Sequence, residues 1–137
     1  MHIRQRLIST LRFGMNDNGS QAVRIALADD DPAVRYTFTQ LLVAMGYHVV
    51  CSAADGAELV AACRVQTVDL VFVDLDMPVM DGLEAAELLT AQGVPVILIS
   101  GHPDASHVVL EHEPFVARIR KPITIDDLRT AIAKVVC

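Results

Sequence analysis

The chain has 137 residues, enough for one domain with a two-sided core; 53% are hydrophobic, only 4% are aromatic, and Trp is absent. Eleven Lys and Arg against seventeen Asp and Glu give a formal charge of −6, a poor footprint for nucleic acid, whose binding rests on neutralising phosphates. No run approaches the roughly 20 apolar residues of a membrane-spanning helix, so no stable membrane insertion is expected.

Residues 1–21 stand apart as a basic extension, disordered or forming a short helix. Ile3, Leu7 and Leu11 fall at helical spacing with Arg4, Arg6 and Arg12 between them, before NDNGSQ breaks the pattern. The stretch reads as an amphipathic contact helix, as an imitation of a transit peptide, or as a frayed leader ahead of a start at Met15. The domain proper is expected over 22–137. VRIALA (23–28) is a short apolar run and so a buried strand. Pro32 after Asp29-Asp30-Asp31 suits a helix start, Val34, Phe38, Leu41, Leu42 and Met45 repeat at helical spacing, and Gly46 stops the helix. YHVVCSA (47–53) is a second strand, and Asp55-Gly56 opens a helix to about Arg64 with Leu59, Val60 and Cys63 inward. DLVFVD (69–74) is a third strand, followed by a helix from Gly82 to Ala91 that Gly93 ends. VPVILIS (94–100) is a fourth strand, HPDASHVVLEHE a weaker helix, and FVARI (115–119) a fifth strand. Thr124 caps a last helix with Ile125, Leu128, Ile132 and Val135 inward.

Strict strand–helix alternation predicts an α/β protein: a parallel sheet between two helix layers, wound right-handed. With five strands the common arrangement is the flavodoxin-like order 2-1-3-4-5 in three α/β/α layers. Cys51, Cys63 and Cys137 form neither a C-x-x-C pair nor an even framework, and read as reduced thiols with the first two buried.

In open sheets of this kind, sites form beyond the carboxyl ends of the strands, where strand order switches. Strand 1 there ends in Asp29-Asp30-Asp31, strand 3 in Asp74, strand 4 in Ser100-Gly101, and strand 5 shortly before Lys121-Pro122. Outlying strand 2 ends in Ser52-Ala53-Ala54 and brings nothing comparable. Carboxylates brought this close need a cation or shifted pKa values. An oxygen-only donor set favours a hard ion such as Mg²⁺. An Asp in that setting can attack phosphorus to give an acyl phosphate, with Lys121 and Ser100 offering charge and a hydrogen bond to phosphoryl oxygens. Each piece alone has a blander meaning: an Asp pair after a strand is often a helix cap, and Asp81-Gly82 reads as a turn and cap. His102, His107 and His112 recur every five residues, which places neighbours ~140° apart on a helix, so they are read as exposed.

From about Val23 to Val136 the sequence resembles a response-regulator receiver domain of the CheY-like family of two-component systems, through ALADDDPAVR, VFVDLDMPVMDG, VPVILISG and RKP. The resemblance implies that Asp74 accepts a phosphoryl group from a partner's phosphohistidine. It implies Mg²⁺ held by Asp29, Asp30 (the more direct ligand), Asp74 and the backbone carbonyl of Asp76. It also makes Ser100 the switch hydroxyl and Lys121 the partner of the phosphoryl group, with a cis bond before Pro122. Partners would be a sensor histidine kinase or phosphotransfer protein, and a downstream protein bound on the fourth helix, fifth strand and fifth helix. A cytoplasmic, stand-alone receiver without multiple-turnover activity is expected. The family usually has Tyr or Phe where this chain has Arg118, Phe where it has Ile123, and Gly-Ala before strand five. Arg118 therefore stands in the switch position without the usual aromatic. That substitution supports the alternative of an interaction module that works without phosphorylation. A second alternative, a haloacid-dehalogenase-type phosphatase, rests on Asp74-Leu75-Asp76. That motif normally opens the first strand and continues Gly-Thr, whereas here it ends the third and continues Met77-Pro78.

Overall fold

The computed structural model describes residues 22–101 and 113–136. The basic extension, the segment carrying His102, His107 and His112, and Cys137 lie outside the described residues.

Strand β1 (Arg24–Ala28) leads into helix α1 (Pro32–Ala44), whose start is fixed by chemistry local to the sequence. Asp31 Oδ1 accepts from the N–H groups of Ala33 and Val34, and Pro32 occupies the first turn, where a missing N–H does no harm. The helix ends at Gly46, whose φ of +96° a side chain would resist. Strand β2 (His48–Ala53) follows, then helix α2 (Gly56–Val65). Asp55 caps α2 through the Glu58 N–H, while the Glu58 carboxylate reaches back to the Ala54 N–H, close to a capping box. Strand β3 (Leu70–Asp74) and helix α3 (Gly82–Ala91) come next, with Asp81 Oδ1 accepting from the Glu84 N–H. Strands β4 (Val96–Ser100) and β5 (Ala117–Arg120) and helix α4 (Ile125–Val136), capped by the Thr124 hydroxyl, complete the described elements.

The five strands form one parallel sheet in the order β2-β1-β3-β4-β5. Side chains alternate between two cores, as the period of two requires. Ile25, Leu27, Leu70, Phe72, Ile97 and Ile99 meet α1 and α4 on one face. On the other, Ala26, Ala28, Val71, Val73, Val96 and Leu98 meet α2 and α3. Phe38 of α1 meets Phe72 of β3 edge to face at 5.0 Å, the arrangement ring quadrupoles favour.

Three expectations need correction. Strands β4 and β5 start two residues later than their apolar runs, and β5 continues to Arg120. Ile125 does not face inward: it is 40% exposed in the first turn of α4, past the end of β5, and Ala131 joins Leu128, Ile132 and Val135 on the inner stripe. Cys51 and Cys63 are half-buried free thiols packed against the α2–α3 core. Burial, reinforced by Cys51, pushes Cys63 up to about 11, and burial with Glu58 raises Cys51. Both shifts disfavour the thiolate, the reactive form. Among the described residues no helix is long and apolar enough to cross a membrane.

Candidate functional site

The polar ends of β1, β3, β4 and β5 lie side by side at the carboxyl edge of the sheet. Asp29, directly after β1, is buried and held at four points. Its N–H donates to the Ala53 carbonyl (3.0 Å), and its own carbonyl accepts from Arg35 Nη1 (2.8 Å). Its Oδ1 accepts from the Asp31 N–H (2.9 Å), and its Oδ2 meets Lys121 Nζ at 2.8 Å. Asp74 is the last residue of β3, also buried, with Oδ1 3.1 Å from the same Nζ. Asp30 is exposed beside them, and carboxylate oxygens of Asp29, Asp30 and Asp74 all lie within 4.8 Å of one another.

The sheet register supplies the other two groups. Asp74 pairs with Ile99, so buried Ser100 stands one residue further along the neighbouring strand. The Lys121 N–H donates to the Ser100 carbonyl at 2.9 Å, which ties the root of the lysine to β4. The Lys121–Pro122 bond is cis. Thus the fold brings Asp29, Asp30, Asp74, Ser100 and Lys121 to one edge. Asp76 is exposed on the β3–α3 loop and its carboxylate is not in the cluster. Asp31 and Asp81 are helix caps.

The electrostatics follow from three acids around one ammonium. Burial raises Asp74 first, and Asp29 raises it further, against the pull of Lys121. Burial alone would lower Lys121, but its hydrogen bonds to Asp29 and Asp74 and their charges outweigh that and hold it above its ordinary value. With Lys121 charged, ionising all three acids leaves the pocket with excess negative charge from oxygen donors. That donor chemistry fits a hard divalent cation such as Mg²⁺.

Arg118 lies on β5 opposite Leu98, where its guanidinium forms a two-point ion pair with Glu113, Nε to Oε2 at 3.3 Å and Nη2 to Oε1. Sequence reading singled out Arg118 but not its partner. It also passed over Arg35, although Arg35 stands in the ALADDDPAVR stretch one turn into α1, within reach of the strand end.

An apolar cavity of about 510 Å³ opens beside this edge, between α1 (Ala33, Val34, Thr37, Phe38, Leu41) and the Lys121-Pro122-Ile123 turn.

Comparison with known proteins agrees with this geometry. The response regulator receiver domain family matches residues 25–133. The transcriptional regulatory protein PdtaR of Mycobacterium tuberculosis is 31% identical over 111 residues, 80% of this chain and 54% of PdtaR. A protein-glutamate methylesterase/protein-glutamine glutaminase of Haloarcula marismortui is 38% identical over 86 residues, 62% of this chain and 23% of that protein. The chain thus spans about a quarter to a half of these relatives' lengths. A CheY-like receiver domain crystal structure from Methanospirillum hungatei superposes with a TM-score of 0.69 at 27% identity, covering 82% of this chain and 92% of that one. With the family matched over most of its length and the sheet order and acidic edge in place, the chain belongs to the response regulator receiver domains of two-component systems.

Proposed function

We propose that the unit over residues 22–137 is a phosphoacceptor whose nucleophile is Asp74. The observation that carries this is the placement of Lys121 Nζ between Asp29 and Asp74, with Asp30 completing a cluster of carboxylates inside 4.8 Å. An Asp74 carboxylate oxygen attacks the phosphorus of a phosphohistidine on a histidine kinase or phosphotransfer protein. The O–P bond forms, the P–N bond breaks, and the electron pair leaves with the imidazole. Lys121 exchanges its contact with Asp74 for one with a phosphoryl oxygen, and the Ser100 hydroxyl donates to another. Asp29, pinned at four points, anchors Lys121 through that exchange.

Asp29, Asp30, Asp74 and the carbonyl of Asp76 are the groups that would hold Mg²⁺. When bound, the ion neutralises charge that otherwise opposes the approach of an anion. The donor would dock its own apolar segment in the cavity between α1 and the Lys121–Ile123 turn, next to the reacting oxygen. The phosphorylated form would then change protein contacts along β5 and α4. Such a protein works in the cytoplasm, binds no nucleic acid and turns over no external substrate.

The Arg118–Glu113 pair favours a second reading, an interaction module insensitive to phosphorylation, because it ties down the switch position. Incubation with acetyl phosphate and Mg²⁺ followed by intact-mass measurement separates the two. One labile phosphoryl adduct, lost in Asp74→Asn, supports the phosphoacceptor, and no adduct from any phosphodonor overturns it.

A further inference from the structure

Asp30 differs from the other two acids of the cluster in how it is held. Asp29 and Asp74 both meet Lys121 Nζ, whereas among the described residues no donor reaches the exposed Asp30 carboxylate. Its place is therefore set by the two rigid peptide planes that flank it. The plane between Asp30 and Asp31 is held by the Asp31 N–H, which donates to Asp29 Oδ1 at 2.9 Å. The plane between Asp29 and Asp30 is held by Arg35, whose Nη1 donates to the Asp29 carbonyl at 2.8 Å.

That bond is an unusual use of an arginine. Arg35 is the fourth residue of α1, in a first turn where the helix dipole opposes a cation. Among the described residues it forms no ion pair. Its side chain leans back toward the helix start, as helical side chains do, and crosses six positions to a main-chain oxygen. The oxygen needs such a partner. Pairing of β1 with both neighbouring strands ends at Ala28, and Asp29 is only 2% exposed, so its carbonyl has left the ladder without gaining water. Without the guanidinium that carbonyl must turn to find water, and the plane leading into Asp30 turns with it. The charges that act on Asp74 are those of Asp29, Lys121 and Asp30, so Arg35 bears on the site through the chain and not through its field.

We propose that Arg35 is a positioning residue: by holding the peptide between Asp29 and Asp30, it fixes the Asp30 carboxylate beside Asp74. The proposal rests on the phosphoacceptor reading above, which gives that carboxylate an Mg²⁺ ion to bind. Charge and position make opposite predictions. Removing a cation from beside an acidic site tightens the binding of a divalent cation by Coulomb's law alone, whereas releasing the peptide weakens it.

The test titrates Mg²⁺ calorimetrically into full-length wild type, Arg35→Met, Arg35→Lys, Asp30→Asn and the Asp30→Asn/Arg35→Met double variant. Each is titrated below the melting temperature measured for it without the ion. Arg35→Met is expected to bind about tenfold more weakly, the low end for changes behind a metal ligand. Arg35→Lys, which keeps the charge and a donor on a shorter reach, should lie between it and wild type. In Asp30→Asn the carboxylate that Arg35 places is already gone, so adding Arg35→Met should weaken binding by less than about twofold more. Unchanged or tighter binding in Arg35→Met overturns the proposal. So does a full tenfold further loss in the double variant, which would show that Arg35 does not act through Asp30. A wild-type chain that binds no Mg²⁺ fails differently, by overturning the phosphoacceptor reading on which the proposal stands.

Discussion

Replacing Lys121 with Met removes the ammonium that bridges Asp29 and Asp74 and keeps most of the side chain's volume. Two carboxylates with oxygens inside 4.8 Å then face each other unneutralised. At an effective dielectric of about 20 the repulsion is about 3.5 kcal/mol. Breaking a buried ion pair typically costs 3–5 kcal/mol. Lys121 is 26% exposed, so solvent screens part of this, and we set the loss at about 3 kcal/mol. For a chain of this length, with an unfolding entropy near 0.29 kcal/mol per kelvin, that corresponds to a melting temperature about 10 °C lower. The pH dependence has a definite sign. Lys121 is held above its ordinary value, so its contribution is complete at neutral pH and is lost only as pH rises through that raised value. Asp74 is also raised, so its ionisation already opposes folding as pH climbs past the ordinary carboxylate range near 3.9. In Lys121→Met that opposition grows. The deficit should therefore be smaller at pH 4, where the raised Asp74 holds its proton more fully, than at pH 7. Mg²⁺ should narrow it, because the variant's carboxylates no longer share their charge with the Lys121 ammonium and so bind the ion more tightly, and stabilisation grows with the ratio of ion to Kd. Thermal unfolding by circular dichroism at pH 4 and 7, with and without Mg²⁺, measures all of this. A deficit independent of pH, or a variant as stable as wild type, would refute the charge-bridge argument.

Other outcomes follow from the same geometry. Ala33→Arg, at the exposed rim of the α1 cavity, should block transfer from a phosphohistidine donor while leaving labelling by acetyl phosphate intact; loss of both would place the effect in the acidic site. Phe72→Ala removes a fully buried ring and its edge contact with Phe38, and should cost about 3–5 kcal/mol in chemical denaturation. With its thiol held near 11, Cys63 has about one thiolate in a thousand at pH 8, so iodoacetamide should label it far more slowly than free cysteine.

The parts of this protein legible in its sequence are those set by local chemistry and period. Asp55, Asp81 and Thr124 sit before helical runs and cap them, and the apolar runs through Leu27, Phe72 and Leu98 become buried strands. Asp29, Asp74, Ser100 and Lys121 were readable as one set because strand order alone brings their strand ends together. What escaped depends on distance or on backbone angle. The carboxylate that pairs with Arg118 belongs to Glu113, outside any regular element, and no pattern marks it. Arg35 reaches a main-chain carbonyl, which side-chain motifs do not encode. Val79 looks like any exposed valine until its positive φ is seen. Ile125 fits the helical stripe, but the sheet beneath it ends too soon.

The central claim, that Asp74 is the nucleophile, has a direct chemical test. Borohydride reduces an aspartyl phosphate to homoserine and leaves a free carboxylate unchanged. Protein treated with acetyl phosphate and Mg²⁺, reduced and peptide-mapped, should carry homoserine at residue 74 and aspartate at residues 29, 30 and 76. Homoserine at any of those three, or at none of the four, would contradict it.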